Sequence, residues 1–193
     1  MAKRNQQSKK IIVYLLVAAL VVVGAAAVFI STYVHKAQYP LEHQEAILQY
    51  SAEYNLDPLL VCALIYTESS FRAEVTSSKG AVGLMQIMPD TGVWIAEMNG
   101  LSLDPALLTV PEINIRIGCA YLRYLFNRFE VQDLVVASYN AGPTRVAGWL
   151  KDAQYSADGK TLTDIPFKET RNYIDKIQNA YTQYQKLYQN QLQ

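Results

Sequence analysis

Histidine is nearly absent from this chain of 193 residues, in which only His35 and His43 occur. Both precede every candidate functional motif. A serine or cysteine hydrolase needs an imidazole beside its nucleophile, and a zinc peptidase needs several metal ligands. The shortage of histidine argues against both classes of enzyme, and we predict neither a metal site nor a cofactor.

The sequence also lacks the patterns that indicate nucleotide chemistry or a β-sheet. No glycine-rich phosphate loop follows a strand pattern, and no alternation of apolar and polar residues is long enough for a sheet strand. The apolar residues recur with helical spacing instead. We therefore predict a mainly α protein, long enough for one domain with its own core and a small appendage.

Cysteine and excess positive charge are scarce as well. Cys62 and Cys119 lie in apolar helical segments with no recognisable spacing, so whether they pair is left open. Four of the 17 Lys and Arg residues lie in the first ten positions, and the remaining 13 face 17 Asp and Glu residues. Nucleic-acid binding needs a basic stripe, so this balance argues against a nucleic-acid partner.

One long uncharged run is present near the N-terminus, at residues 11–30. As a helix it would extend about 30 Å at roughly 1.5 Å per residue, which matches one bilayer crossing. Four basic residues precede it, and no Lys or Arg follows it until Lys36. By the positive-inside rule we expect a single-pass protein of the cytoplasmic membrane, with its N-terminus inside and the remainder outside.

A cleaved signal peptide is the alternative for this run, because Ala25, Ala26 and Ala27 offer small residues to a peptidase. The run is longer than a usual signal core of about 7 to 15 residues, which favours a retained anchor. The predicted division of the chain is a cytoplasmic basic segment at 1–10, a transmembrane anchor at 11–30, a polar stalk at 31–40 and a helical domain at 41–193.

Glu68 is the first candidate for chemistry, because it closes a helix whose residues 59–65 are all apolar. Burial disfavours the charged carboxylate, and so does the negative end of a helix dipole, so the pKa of Glu68 should be raised. Such a group can hold a proton near neutral pH and donate it. Taken alone, however, a glutamate after an apolar run more often marks a helix end that turns to water.

Four motifs place Glu68 in a wider pattern. They are Glu68-Ser69 with Ser77 nine residues later, then residues 80–89 (GAVGLMQIMP), residues 138–143 (SYNAGP) and residues 165–173 (IPFKETRNY). In this order they resemble the soluble lytic transglycosylases, and residues 41–193 look like a transglycosylase SLT domain. The resemblance implies a lysozyme-like helical fold of the goose type, preceded here by the transmembrane helix.

The resemblance also implies roles for the first two motifs. Glu68 would be the catalytic acid, and the Ser77 hydroxyl would lie near this acid and the N-acetyl group of the substrate. Gly83, Met85 and Gln86 would lie in the cleft. There a glycine lets a sugar approach the backbone, a methionine offers an apolar floor, and a glutamine offers a donor and an acceptor. The alternative for all three is an ordinary loop.

The last two motifs contribute further candidates by the same resemblance. The Tyr139 hydroxyl would hold Glu68 in place, and Asn140 would bind polar groups of the sugar or the charge beside the cleavage point. Tyr173 is a candidate for the cleft lining, although it also heads a tyrosine stripe that should face the core. Composition alone favours a core position for Tyr139 as well, since the chain contains 14 tyrosines.

The motifs supply one carboxylate where most glycosidases use two. The resemblance implies that the substrate compensates, because the acetamido group of N-acetylmuramic acid (MurNAc) supports the developing positive charge. We therefore predict a membrane-anchored peptidoglycan lytic transglycosylase that cleaves the β-1,4 bond from MurNAc to N-acetylglucosamine (GlcNAc) without water, leaving 1,6-anhydroMurNAc ends. A hydrolytic muramidase and a non-catalytic glycan-binding protein are the alternatives.

Overall fold

The computed structural model describes residues 2–192, with side chains from Tyr14 onward. Within this range, the β-structure consists of isolated bridge pairs and no strand, so the mainly α prediction is confirmed. The elements are α1 (Ala2–Gln38), α2 (Gln44–Glu53), α3 (Pro58–Ser69), α4 (Pro89–Met98), a short 3₁₀ helix (Pro105–Thr109), α5 (Pro111–Arg128), α6 (Gln132–Ala141), α7 (Pro143–Lys151) and α8 (Lys168–Tyr188).

The chain divides into two units, one ending at Gln38 and the other beginning at Tyr39. The first unit is α1, in which Tyr14–Gln38 is long and apolar enough to cross a membrane. The predicted stalk at 31–40 is helical as far as Gln38, and the second unit begins two residues before the predicted domain. The predicted basic segment at 1–10 lies outside the residues whose side chains are described.

Helix α3 is the centre of the second unit. Residues 59–65 are buried without exception, so α3 must be surrounded, and α2 and α8 pack against it. The sequence fixes its start, because Asp57 Oδ1 accepts the N–H of Leu59 at 2.8 Å and Pro58 takes the first helical position. Burying each large aliphatic side chain is worth about 1.5–3 kcal/mol, so α3 is a major source of stability.

Cys62 of α3 and Cys119 of α5 are free thiols, and both are buried. Burial raises the pKa of the Cys62 thiol to about 12 and raises that of Cys119 as well. The two side chains therefore pack as small, protonated, unreactive groups.

Helix α8, near the end of the second unit, is hydrogen-bonded to the residues that begin this unit. Its buried stripe includes Tyr184 and Tyr188, whose hydroxyls donate to the main-chain oxygens of Pro40 and Tyr39, each at 2.7 Å. These tyrosines bury their rings and still satisfy their hydroxyl groups. The tyrosine stripe predicted from the sequence thus faces the core, and α8 is held firmly enough to position a functional side chain.

Candidate active site

Glu68 lies where α3 passes into the following loop. It is the penultimate residue of α3, and its half-buried Oε1 accepts a hydrogen bond from Tyr173 Oη of α8 at 2.5 Å. Burial raises the pKa of Glu68 from its ordinary 4.5 to about 7, and the Tyr173 hydrogen bond opposes this shift. The negative end of the helix dipole favours the protonated form further. Glu68 can therefore hold a proton at neutral pH and still release it.

The backbone turns sharply just after Glu68. Ser70 and Phe71 have φ angles of 52° and 63°, in the left-handed region that residues with a Cβ rarely adopt. Phe71 is nevertheless buried in the core, and Arg72 Nε donates to the carbonyl of Ser69 at 2.9 Å. These contacts hold the turn, so the Glu68 carboxyl is fixed at the start of the loop formed by residues 70–88.

The hydroxyl groups of Tyr139 and Tyr173 have partners other than those expected. The prediction that the Tyr139 hydroxyl holds Glu68 is wrong, because Tyr139 Oη donates to the main-chain oxygen of Met85 at 2.8 Å and Tyr173 holds the carboxyl instead. Burial, followed by the nearby Glu68 charge, raises the pKa of Tyr139 and Tyr173 well above 10. Both hydroxyls therefore stay protonated, and Tyr173 is at once a buried stripe residue and the partner of Glu68.

Asn114 of α5 organises the loop, and the sequence analysis missed it. Its side chain is fully buried, and its Oδ1 accepts the N–H of Met85 at 2.7 Å. Its Nδ2 donates to the carbonyls of Leu108 and Val82 at 2.7 and 2.9 Å. A signal was present in the sequence, because an asparagine between two isoleucines in a half-buried helix must find buried partners.

Gly83 and Met85 are buried residues of the loop itself. Gly83 has a φ of +81°, and a Cβ there would overlap Asn114 Nδ2 and the Leu108 carbonyl oxygen. Met85 is fully buried, and its sulfur lies so close to Gly118 that a Cβ at that position would overlap it. The expectations that Gly83 admits a sugar and that the Met85 side chain floors the cleft are therefore corrected. Both residues let the loop pack tightly on α5.

Gln86 and Ser77 are half-buried, and each keeps one polar function available. Gln86 Nε2 donates to the carbonyls of Gly83 and Val75 at 2.9 and 3.0 Å, which leaves its Oε1 without a partner among the described residues. Ser77 Oγ accepts the N–H of Ala81 at 3.0 Å, so its own proton can still be donated. We expected Gln86 to offer a ligand both a donor and an acceptor, but only its acceptor is available.

Asn140, near the end of α6, is connected to α8. Its Oδ1 accepts a hydrogen bond from Thr170 Oγ1 at 2.9 Å, and Thr170 is buried in the first turn of α8. The amide nitrogen of Asn140 has no hydrogen-bond partner within residues 14–192, and the side chain is only half-buried. The bond orients Asn140 and leaves its nitrogen as a donor on the helix pair that also carries Tyr139 and Tyr173.

Within residues 14–192, no acidic neighbour shifts the pKa of Glu68. In the described part of the chain, the pKa of Glu68 is set by burial and by Tyr173, with no contribution from a second carboxylate. The same part of the chain contains no group of three or more His, Cys, Asp or Glu side chains that could hold a metal ion. The arrangement is therefore suited to proton transfer by a single carboxyl group.

Comparison with known families settles the relationship that these residues suggest. The family model of the transglycosylase SLT domain matches residues 45–162, which is more than half of the chain. This chain belongs to the transglycosylase SLT domain family. The SLT match contains Glu68, Ser77, Tyr139 and Asn140 but ends before α8, so the partner of Glu68, Tyr173, lies outside the matched segment.

Relatives of this SLT chain include soluble and membrane-bound proteins. The soluble lytic murein transglycosylase of Escherichia coli K12 is 34% identical over 153 residues, which are 76% of this chain and 24% of that protein. The membrane-bound lytic murein transglycosylase C of Serratia proteamaculans is 32% identical over 159 residues, 70% of this chain and 44% of that protein. The chain thus matches about a quarter of the soluble relative and less than half of the membrane-bound one.

Solved structures agree with the SLT assignment. The 70 kDa soluble lytic transglycosylase SLT70 of E. coli superimposes with a TM-score of 0.69 and 31% identity, over 79% of this chain and 25% of that one. The Pseudomonas aeruginosa Slt, solved as an inactive mutant, gives the same TM-score with 32% identity over 79% of this chain and 25% of that one. The predicted lysozyme-like helical fold is therefore confirmed.

Proposed function

We propose that this SLT-family chain is a peptidoglycan lytic transglycosylase in which Glu68 acts first as an acid and then as a base. The observation that carries the proposal is the half-buried Glu68 carboxyl, whose pKa is raised to about 7 and which accepts a hydrogen bond from Tyr173. The names of the soluble and membrane-bound relatives point to the same activity. The substrate class follows from these names, because murein is peptidoglycan.

The proposed reaction uses the two protonation states of Glu68 in turn. Protonated Glu68 gives its proton to the glycosidic oxygen, and the bond from MurNAc C1 to that oxygen breaks. The acetamido group of the same MurNAc supports the positive charge at C1. Glu68, now a carboxylate, takes the proton from the C6 hydroxyl, and the C6 oxygen bonds to C1. The products are a GlcNAc end and a 1,6-anhydroMurNAc end, and Glu68 is protonated again.

A carboxyl with a pKa near neutrality suits this alternation. A much lower pKa would leave Glu68 deprotonated before the first step, and a much higher pKa would make Glu68 a weaker acid that gives up its proton less readily in that step. Tyr173 keeps the pKa from rising further, because its hydroxyl stabilises the carboxylate. A muramidase that follows the usual two-carboxylate scheme needs a second acidic group across the bond. The names of the relatives favour the transglycosylase.

The available polar groups have roles in substrate binding under this proposal. The Ser77 hydroxyl donates to the acetamido carbonyl, the Gln86 Oε1 accepts an amide or hydroxyl proton, and the Asn140 nitrogen donates to a sugar oxygen. Each group is oriented by a second hydrogen bond to the protein, at Ala81, Gly83 and Thr170 respectively. Such double contacts fix a side chain before the substrate arrives.

The proposal includes a single-pass anchor in the cytoplasmic membrane, with the catalytic unit outside. The apolar helix Tyr14–Gln38 and the membrane-bound relative support it. The full chain should stay with membranes through high-salt and alkaline washing, because a retained span of this length is inserted and not adsorbed. A soluble mature chain that begins near Val28 would instead identify residues 11–30 as a cleaved signal peptide.

The chemistry of the new glycan ends tests the proposed reaction directly. We expect digestion of purified peptidoglycan by the full-length chain in detergent micelles to give 1,6-anhydroMurNAc ends, which resist borohydride reduction because they have no free anomeric hydroxyl. Mass spectrometry of the fragments, with and without reduction, measures them. Reducible MurNAc ends would show a muramidase, and binding without any new ends would show a glycan-binding protein.

A further inference from the structure

A row of aromatic rings leads from the candidate active site to the surface. Tyr139 packs against Tyr121 with 5.2 Å between ring centroids, and Tyr121 against Tyr124 at 6.4 Å. Tyr124 in turn meets the edge of Trp94 at 4.9 Å. The row therefore starts at a residue whose pKa responds to Glu68 and ends on α4.

The outer end of the row is exposed and well supported. Trp94 is 40% exposed, so a large part of its indole is accessible to a ligand. Its neighbour Tyr124 is half-buried, and Arg128 Nη1 donates an exposed hydrogen bond to the Tyr124 hydroxyl at 3.1 Å. The Trp94 and Tyr124 rings meet at an interplanar angle of 82°, and this edge-to-face pair is an apolar surface that is already assembled before a ligand binds.

The inner part of the row has a polar group that can reach a ligand. Tyr121 is only 8% exposed, but its hydroxyl bonds to no group of the described residues and is not among their enclosed, unpartnered side-chain atoms. This hydroxyl therefore reaches solvent and is available to a ligand. It lies close enough to the site to influence Tyr139 and Tyr173 electrostatically. Apolar stacking at the outer end is thus combined with a hydrogen-bonding group at the inner end.

We propose that Trp94 and Tyr124 form a distal glycan subsite, reached from Glu68 past the Tyr121 hydroxyl. The ligand is an N-acetylated hexosamine of the strand that is cleaved, so this inference rests on the proposed function. Sugars present apolar C–H faces that lie well on aromatic rings, and their hydroxyls can accept a hydrogen bond from the Tyr121 hydroxyl. Continuity with the site favours a glycan over a protein partner, because a protein patch would not need to run to Glu68.

The two tryptophans of the chain make this subsite measurable. The full-length chain with Glu68→Gln, in detergent micelles, is titrated with GlcNAc oligomers of increasing length while the two indole N–H signals are followed by NMR. We expect the Trp94 signal to shift with long oligomers and not with the disaccharide. Trp149, on α7 and 8% exposed, should not move and serves as the internal control. Trp94→Phe assigns the signals, and an unmoved Trp94 signal with saturating long oligomers overturns the subsite.

Kinetics provide the second test. Trp94→Ala should raise KM for long strands by about tenfold, as expected for truncating an aromatic anchor, with kcat and the cleavage of short fragments nearly unchanged. Met98→Ala removes another exposed apolar side chain of α4 and is the matched control, expected to leave all values unchanged. Equal losses in both variants, or a loss in Trp94→Ala that does not depend on strand length, would instead indicate a general surface effect and overturn the proposal. A wild type that binds long oligomers at Trp94 but cleaves nothing would contradict the proposed function alone.

Discussion

Replacing Glu68 by Gln is expected to reduce peptidoglycan cleavage by at least about 10² to 10⁴-fold, the usual range for losing a general acid or base. The amide keeps the size of the carboxyl but can neither give the proton to the glycosidic oxygen nor take one from the C6 hydroxyl. Release of soluble fragments from purified peptidoglycan measures the loss.

Glu74→Gln is the matched control for this activity test. Glu74 is exposed in the same loop region, six residues from Glu68, and its substitution should leave cleavage nearly unchanged. Full activity in the Glu68→Gln variant would remove Glu68 as the acid. Equal losses in both variants would show that the charge of the region matters and not the proton of Glu68.

The same substitution should change how the stability of the fold depends on pH. Below about pH 4.5 Glu68 is protonated in both the folded and the unfolded chain, so wild type and Glu68→Gln should be similar. As the pH rises towards 7, only the unfolded chain readily loses this proton, and wild type is destabilised relative to the variant. The difference should reach on the order of 3 kcal/mol above about pH 8, measured by urea unfolding at both ends of the range.

Local features of the site were predictable from the sequence because they depend on neighbouring residues. The apolar run at 59–65, the cap at Asp57 and the raised pKa of Glu68 all follow from the order of residues within one helix. The positions of Gly83 and Met85 were not predictable in this way. They depend on Asn114, about 30 residues away in the sequence, whose single side chain gathers three main-chain groups from different segments.

The tyrosine that holds Glu68 was harder to predict for a related reason. Tyr139 and Tyr173 both lie in family motifs, and both have the same buried phenol. Which hydroxyl reaches Glu68 is decided by the packing of α8 against α3 and of α6 against α8, which no local pattern records. Tyr139 instead supports the loop through the Met85 carbonyl. The two residues therefore divide the tasks of orienting the acid and holding the loop beside it.

Replacing Tyr173 by Phe should lower kcat about 10- to 100-fold at neutral pH, the range expected for losing a hydrogen bond to a charged group. The phenyl ring keeps the packing of α8, but the carboxylate of Glu68 loses the donor that stabilises it, so the pKa of Glu68 should rise above about 7. The basic limb of the pH profile of kcat/KM should then move to higher pH, which a merely structural defect would not produce. Tyr181→Phe, on the same helix, removes a hydroxyl bonded to Asp57 and is the control, with the limb unmoved. A limb that stays in place in the Tyr173 variant would contradict the role of this hydroxyl in tuning the acid.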